Sequence, residues 1–386
     1  MASVMRPRPR ILHLLSDWKW TGPAEPIVNL CRELGRHGHV VNLVCRKPPH
    51  SYPKSIVHHA AERSVDVNTE FQLDKRFNLA ANLRDTRALA EFIDREDVSI
   101  VHVHTSHDHY LGSRAARKAN NRPFVVRWNH TGMPLRNSIA NRFLIKGHTS
   151  AWIALSPACL AEDIRAFDIP EKHGLAVEGA IDLERFDPER RFEDIRAQHG
   201  FSGDHIVAGI VARVQKHRRF DVFLGALAEA MQRDANLRAI VIGRGTHFDD
   251  LVRRPVGELG IEDKVAMPGY ITDLYPDTLA SLDFKVFLVP GSDGSCRAVR
   301  EAMALGKPIV AARRGILPEL VEDSRCGLVI DDTPENLRDA ILRMASDPDM
   351  RRRMGNAAAV KARERFRIDL QAQQIADLYM RLAEGL

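Results

Sequence analysis

Short apolar runs rich in Val, Ile and Leu recur through this chain, each followed by a longer stretch with helical spacing. Runs of that length with β-branched residues read as strands, and the longer patterns as helices returning the chain to one sheet. Such alternation builds a parallel sheet with helices on both faces. The first series is ILHLL at 11–15, VVNLVC at 40–45, SIVHVH at 99–104 and PFVVRWNH at 123–130. Helices are expected between them over 26–37, 83–95 and 111–119. The series restarts after Phe186-Asp187-Pro188 and a charged stretch, 189–199, that reads as a hinge. HIVAGIVAR, LRAIVIG, KVAMPGY, FKVFLVP and PIVAA follow as strands, with helices expected over 220–232 and 298–305. With 386 residues, two domains are the natural division, 1–185 and 186–365, followed by a helical, Arg-rich tail.

Composition narrows the class. Apolar residues make up 44% of the chain and aromatics only 6%, which suits layers packed with aliphatic side chains. No apolar run approaches the roughly 20 residues needed to cross a bilayer. The opening MASVMRPRPRILHLL turns at once into Ser16-Asp17-Trp18-Lys19, so it reads as a buried first strand and not a signal peptide. Cys31, Cys45, Cys159, Cys296 and Cys326 are scattered without CxxC spacing, the pattern of reduced thiols in a cytoplasmic protein. A net charge of +5 fits anionic small molecules or an anionic membrane, and no nucleic-acid motif accompanies it.

In doubly wound folds ligands bind past the C-terminal ends of the strands. There, Gly291 to Gly306 is the most informative segment. A glycine-bearing loop opening a helix leaves free N–H groups for a diphosphate, expected at Gly294, Ser295 and Cys296. Asp293 and Glu301 could both accept hydrogen bonds from sugar or ribose hydroxyls. The same residues also read as an N-cap (Asp293) and an i,i+4 partner of Arg297 (Glu301). Past HIVAGIVAR come Arg213, Lys216, His217, Arg218 and Arg219, placed to neutralise a leaving diphosphate.

In this order the pieces resemble the retaining glycosyltransferases of family 4 (glycosyl transferases group 1). The family's Arg…Lys pair is matched by Arg213 and Arg218, and its glycine turn by Gly243-Arg244-Gly245. Its base loop is matched by Pro268 to Asp273, with Ile271 and Thr272, and its paired acids by Asp293 and Glu301 before EAMALGKPIVA. In the first half, Thr21-Gly22-Pro23 resembles the glycine-rich loop, and His130 stands where the family has an active-site histidine. The sequence departs from the pattern at Asp293 (usually Glu), Arg218 (usually Lys) and Pro23 (usually Gly).

The resemblance implies an α/β GT-B fold: two Rossmann-like domains facing across a cleft, with the 366–386 helix returning to the first. It implies transfer with retention from a nucleotide sugar, a UDP-sugar expected, to a glycan or lipid-linked acceptor in cell-surface polysaccharide or lipopolysaccharide synthesis. No metal is implied. Glu301 would hold the ribose, Asp293 the donor-sugar hydroxyls, and His130 the reacting sugar. A GT-B sugar-nucleotide epimerase and a non-catalytic nucleotide-sugar-binding relative are the alternatives; no GxGxxG follows the first strand to suggest a dehydrogenase. His102, His104, His107 and His109 invite a metal reading, but histidine-rich strand ends are common, and lining the cleft suits His104 or His107 better. The cations from Arg351 to Arg367 read as a solvated face or as a surface for an anionic membrane.

Overall fold

The computed structural model describes residues 8–20, 22–49, 52, 54–74, 78–290 and 296–385. They fall into two compact units, one of 8–180 with 368–385, the other of 181–290 with 296–367. Both are parallel sheets flanked by helices.

The first unit runs β1 (Ile11–Leu15), α1 (Ala24–Arg36), β2 (Val41–Cys45), α2 (Ile56–Ala61), β3 (Val67–Asn68), α3 (Leu79–Arg95), β4 (Ile100–Val103) and α4 (Ser106–Lys118). It continues with β5 (Phe124–Asn129), α5 (Ile139–His148), β6 (Ala151–Ala154), α6 (Pro157–Phe167) and β7 (Gly174–Ala176). The sheet order is β3-β2-β1-β4-β5-β6-β7, all parallel. β1 and β4 are central and covered on both faces, which is why they read as continuous apolar runs.

α4 begins five residues ahead of the sequence expectation. Its first turn, Ser106-His107-Asp108, lacks apolar spacing, but Thr105 and Asp108 form a reciprocal capping box that starts the helix. α5 and α6 were not legible as helices. In α5 only Ile145 is buried, so the apolar stripe is too sparse to announce a helix.

The second unit runs β8 (Ile206–Val211), α7 (Phe220–Arg233), β9 (Leu237–Ile242), α8 (Arg254–Glu258), β10 (Val265–Gly269), α9 (Tyr275–Ala280), β11 (Phe284–Phe287) and α10 (Arg297–Ala304). Then come β12 (Ile309–Ala312), α11 (Leu317–Val321), β13 (Gly327–Ile330), α12 (Pro334–Ser346) and α13 (Pro348–Arg365). Its sheet order is β10-β9-β8-β11-β12-β13. The last helix, α14 (Ile368–Glu384), belongs to the first unit: Ala372, Ile375, Leu378, Tyr379 and Leu382 join Ile11, Leu34, Ile100, Val126 and Trp128 in one core.

Most of the tail's cations are engaged. Arg351 donates to the carbonyls of Met344 and Ala345, and Arg352, Arg363 and Arg365 pair with Asp349, Glu189 and Glu322. Lys361 is buried and ties down the end of α11 through the carbonyls of Glu319 and Leu320. No helix among the described residues is long and apolar enough to cross a membrane.

Candidate functional site

Each sheet reverses its order of growth once: between β8 and β11 in the second unit, between β1 and β4 in the first. Such reversals leave a crevice past the strand ends, because the connections depart on opposite sides. Among the described residues, Arg213 and Arg218 follow β8 and Glu301 lies on the helix after β11, while His104 and His107 follow β4.

In the second unit β8 runs into Arg213, and a single 3-10 turn brings Arg218 back toward the strand end. Arg218 is 9% exposed, and its Nη1 donates to the Val289 carbonyl, just past β11, at 2.6 Å. That bond bridges the switch point. Its Nε is sealed and has no partner. Burial lowers the Arg218 pKa, and nearby Arg213 lowers it further. Arg213 is exposed and makes no hydrogen bond or ion pair among the described residues. Lys216 is exposed too, while Arg219 turns away to Asp332 and Asp221.

Gly243 and Gly245 follow β9 where the backbone comes against the chain leaving β8. A Cβ on Gly243 would stand 1.9 Å from the Ala212 carbonyl oxygen, and one on Gly245 2.1 Å from that of Val214. No side chain fits there. The Gly243 N–H also donates to the Gly269 carbonyl at 2.9 Å, tying the glycine turn to the expected base loop. In that loop Ile271 is half-buried, Thr272 is exposed with its carbonyl held by Arg185, and Arg244 stacks over the Tyr270 ring at 4.2 Å.

Asp293, Gly294 and Ser295 lie outside the described residues. Cys296 is described: it is buried, left-handed (φ 53°), and occupies the N-cap position of α10. The N-cap reading of Asp293 is therefore corrected, because the helix starts three residues later than that reading needs. Glu301 lies on α10 and is 7% exposed. It takes a hydrogen bond from the Tyr275 hydroxyl at 2.7 Å and has Arg297 Nε at 3.6 Å. Thus the ion pair expected with Arg297 is present, and a second partner from α9 holds the carboxylate as well.

Two residues here were missed in the sequence. Tyr275 is half-buried, and desolvation together with the adjacent Glu301 raises its pKa well above the usual value. Lys285, on β11, is sealed beneath α10 and donates to the Ala298 carbonyl at 2.8 Å. Burial brings its pKa to about 7, against the opposing pull of the Glu301 carboxylate. A cation in the otherwise apolar run FKVFLVP was the available signal.

In the first unit Gly22 is left-handed (φ 52°), as glycine readily is, and Pro23 caps α1. At the switch point the Ser16 N–H donates to Asp108 at 2.6 Å, and His107 bridges Ser16 and Asn82. His130, past β5, is 8% exposed and stacks on Trp128 at 4.4 Å. Burial, then the cation of Arg127, brings its pKa to about 3, so the ring is neutral. Its Nε2 lies 3.0 Å from His104 Nδ1.

The four histidines of the expected cluster take different hydrogen-bond partners, although His102 and His104 stack on one another: His102 meets Tyr379, His104 meets His130, His107 meets Ser16, and His109 meets Thr149. Among the described residues, the grouping with ligand atoms near one another is His13, His102 and His104. All five cysteines are buried, and none forms a disulfide.

Residues 191–361 match the family described as glycosyl transferases group 1, and residues 21–185 match glycosyltransferase family 4. The alpha-D-kanosaminyltransferase of Streptomyces kanamyceticus is 26% identical over 54% of this chain and 53% of its own. The lipopolysaccharide core biosynthesis mannosyltransferase LpcC of Rhizobium leguminosarum is 27% identical over 68% of this chain and 76% of its own. The chain spans about half the length of the first curated relatives it matches. Among solved structures, Anabaena HepE in complex with UDP and glucose superposes with a TM-score of 0.78 over 98% of this chain and all of that one, at 20% identity. The two family matches together cover nearly the whole chain in order, and the two doubly wound units are those of a GT-B fold: this chain belongs to glycosyltransferase family 4.

Proposed function

We propose that the chain is a retaining glycosyltransferase that moves a sugar from a nucleoside-diphosphate sugar, a UDP-sugar, to a glycan or lipid-linked acceptor of the cell surface. The observation that carries this reading is the Arg218 guanidinium. It is nearly sealed, fixed by one bond to Val289, and holds an unpartnered Nε beside a second free cation, Arg213, at the switch point. A buried donor without an acceptor costs about 1–3 kcal/mol, so a residue kept in that state suits an anionic ligand. A diphosphate supplies oxygens and charge, and the two guanidiniums stabilise the charge that grows as it leaves. They do this without calling on a metal ion.

Glu301, oriented by Tyr275 and Arg297, is set to accept from the two ribose hydroxyls. Asp293 keeps its proposed role toward the donor sugar. His130, neutral because it is buried, is set to hydrogen-bond the reacting sugar and not to bring a charge to it. The second unit is then the donor side and the first the acceptor side. Related proteins support the substrate class: HepE was solved with UDP and glucose, and LpcC is named for lipopolysaccharide core synthesis.

The test is a thermal-shift series with UDP-, GDP- and ADP-sugars, with and without EDTA, followed by product analysis. A nucleotide sugar at 100 times its Kd should stabilise the donor unit by about 2.7 kcal/mol. The UDP-sugars should raise the melting point in EDTA, and Arg218→Met should abolish the shift. If no nucleotide sugar shifts the wild type, the donor proposal fails. A shift without sugar transfer or hydrolysis points to the binding relative, and inversion at the anomeric carbon removes retention.

A further inference from the structure

His130 does not stand alone. His13 Nδ1 lies 3.0 Å from His104 Nε2, and His104 Nδ1 lies 3.0 Å from His130 Nε2. Three rings from β1, the end of β4 and the end of β5 therefore form one hydrogen-bonded line. The β1–β4 register opposes His13 to His102, so His104 stands one same-face position further on and can reach both neighbours. His13, His104 and His130 are all sealed or nearly so. At the inner end His13 Nε2 is sealed without a partner. At the outer end His130 Nδ1 makes no hydrogen bond among the described residues, and the residue keeps 8% of its surface exposed.

We propose that His13 and His104 are positioning residues that hold His130 in a single tautomer, so that its Nδ1 meets the ligand as an N–H donor. This rests on the reading of His130 as the sugar-facing residue.

A neutral imidazole carries one proton, so each ring can donate from one nitrogen and must accept at the other. The line can run in only two directions. If His130 donates inward, His104 donates to His13, and the last proton is stranded on His13 Nε2 as a buried N–H without an acceptor. If His13 donates outward, the stranded atom is a bare nitrogen, and the last proton appears on His130 Nδ1. Orphaned buried N–H groups are the rarer outcome, so the outward direction is selected. Burial keeps every ring neutral, which is the condition for the line to work. Charged neighbours act with the same sign: the buried Arg127 cation beside His104 and His130 disfavours a second positive charge, while Asp108 and Asp163 compensate Arg127 itself.

A metal held by His13, His102 and His104 would have to take a nitrogen of His104 from this line. Both nitrogens of His104 are already committed to neighbouring rings, and Arg127 places a cation alongside. The hydrogen-bonded line accounts for the cluster without an ion.

The experiment is selective 15N-histidine NMR of the full chain, with steady-state kinetics on variants. His130 should show a protonated Nδ1 and a bare Nε2. His104→Leu should lose that signature and lower kcat at least tenfold with little change in donor KM. His104→Asn, whose amide can still donate toward His130, should restore most of both. Tryptophan fluorescence checks that each variant folds. A His130 protonated on Nε2, an unaltered signature in His104→Leu, or His104→Asn no better than Leu overturns the proposal. So does stoichiometric zinc in the purified protein that His13→Ala removes. The NMR readout needs no turnover: if no nucleotide sugar binds, the donor reading fails, and the tautomer assignment still stands or falls by itself.

Discussion

Lowering the pH from 7 to 5 should destabilise the first unit far more than the second. His13 and His130 take up a proton near 6.5 in the unfolded chain, but burial brings the native value to about 3 for each. Between those values the unfolded state binds more protons than the native one, so stability is fully present above 6.5 and drains as pH falls. For one such imidazole the loss between pH 7 and pH 5 is about 2 kcal/mol, hence about 4 for the pair. His102, His104 and His109, which are also lowered, add in the same direction. Carboxylates held low, Glu322 among them, release their contribution only below about pH 4.5, and Asp163, whose pKa burial raises, acts with the opposite sign. Lys285 and Lys307, brought to about 7 and about 8, exert their effect at and above neutrality. A loss of about 4 kcal/mol is a large part of the 5–15 kcal/mol that holds a domain together. The assay is urea unfolding followed by tryptophan fluorescence, because all four tryptophans, Trp18, Trp20, Trp128 and Trp152, are in the first unit. His13→Asn should remove about 2 kcal/mol of the pH dependence. A change under about 1 kcal/mol between pH 7 and 5, or an unaltered slope in His13→Asn, refutes the reasoning.

Gly245→Ala should destabilise the second unit by about 3 kcal/mol and abolish donor binding, because its Cβ meets backbone that no rotamer change can relieve. Calorimetry of the second transition measures it, and a loss under about 0.5 kcal/mol would contradict the close approach. Glu301→Gln should weaken UDP-sugar binding about tenfold or more, and Tyr275→Phe should weaken it less, since Arg297 still orients the carboxylate. Titration calorimetry with UDP decides: equal losses would mean that Tyr275, and not Glu301, makes the contact.

How much of this was legible in the sequence depended on whether a residue's neighbours were local. The strands ILHLL and HIVAGIVAR announced themselves because central parallel strands are apolar on both faces. Arg213 and Arg218 could be placed past the end of β8 because strand ends can be counted to, and Gly243 and Gly245 at a turn because the backbone crossing there leaves no room for a side chain. Tyr275 escaped: it reaches Glu301 across 26 positions, and nothing in its own surroundings signals the meeting. The start of α4 escaped for the opposite reason, since a capping box can begin a helix before its apolar stripe does.

His13 and Lys285 share a different kind of signal. Each is a single polar residue in the middle of a strand that is otherwise apolar, and each is fully buried. Burying a polar group costs about 1–3 kcal/mol unless something answers it, so each of these positions had to have a partner that the sequence did not name. For Lys285 the answer is the Ala298 carbonyl and the field of Glu301; for His13 it is His104, and through it His130. For His13, two hydrogen bonds lead to His130; for Lys285, the link to Glu301 is through its field. A polar exception in a core strand thus points to a buried partner from another element, which the motif alone does not name.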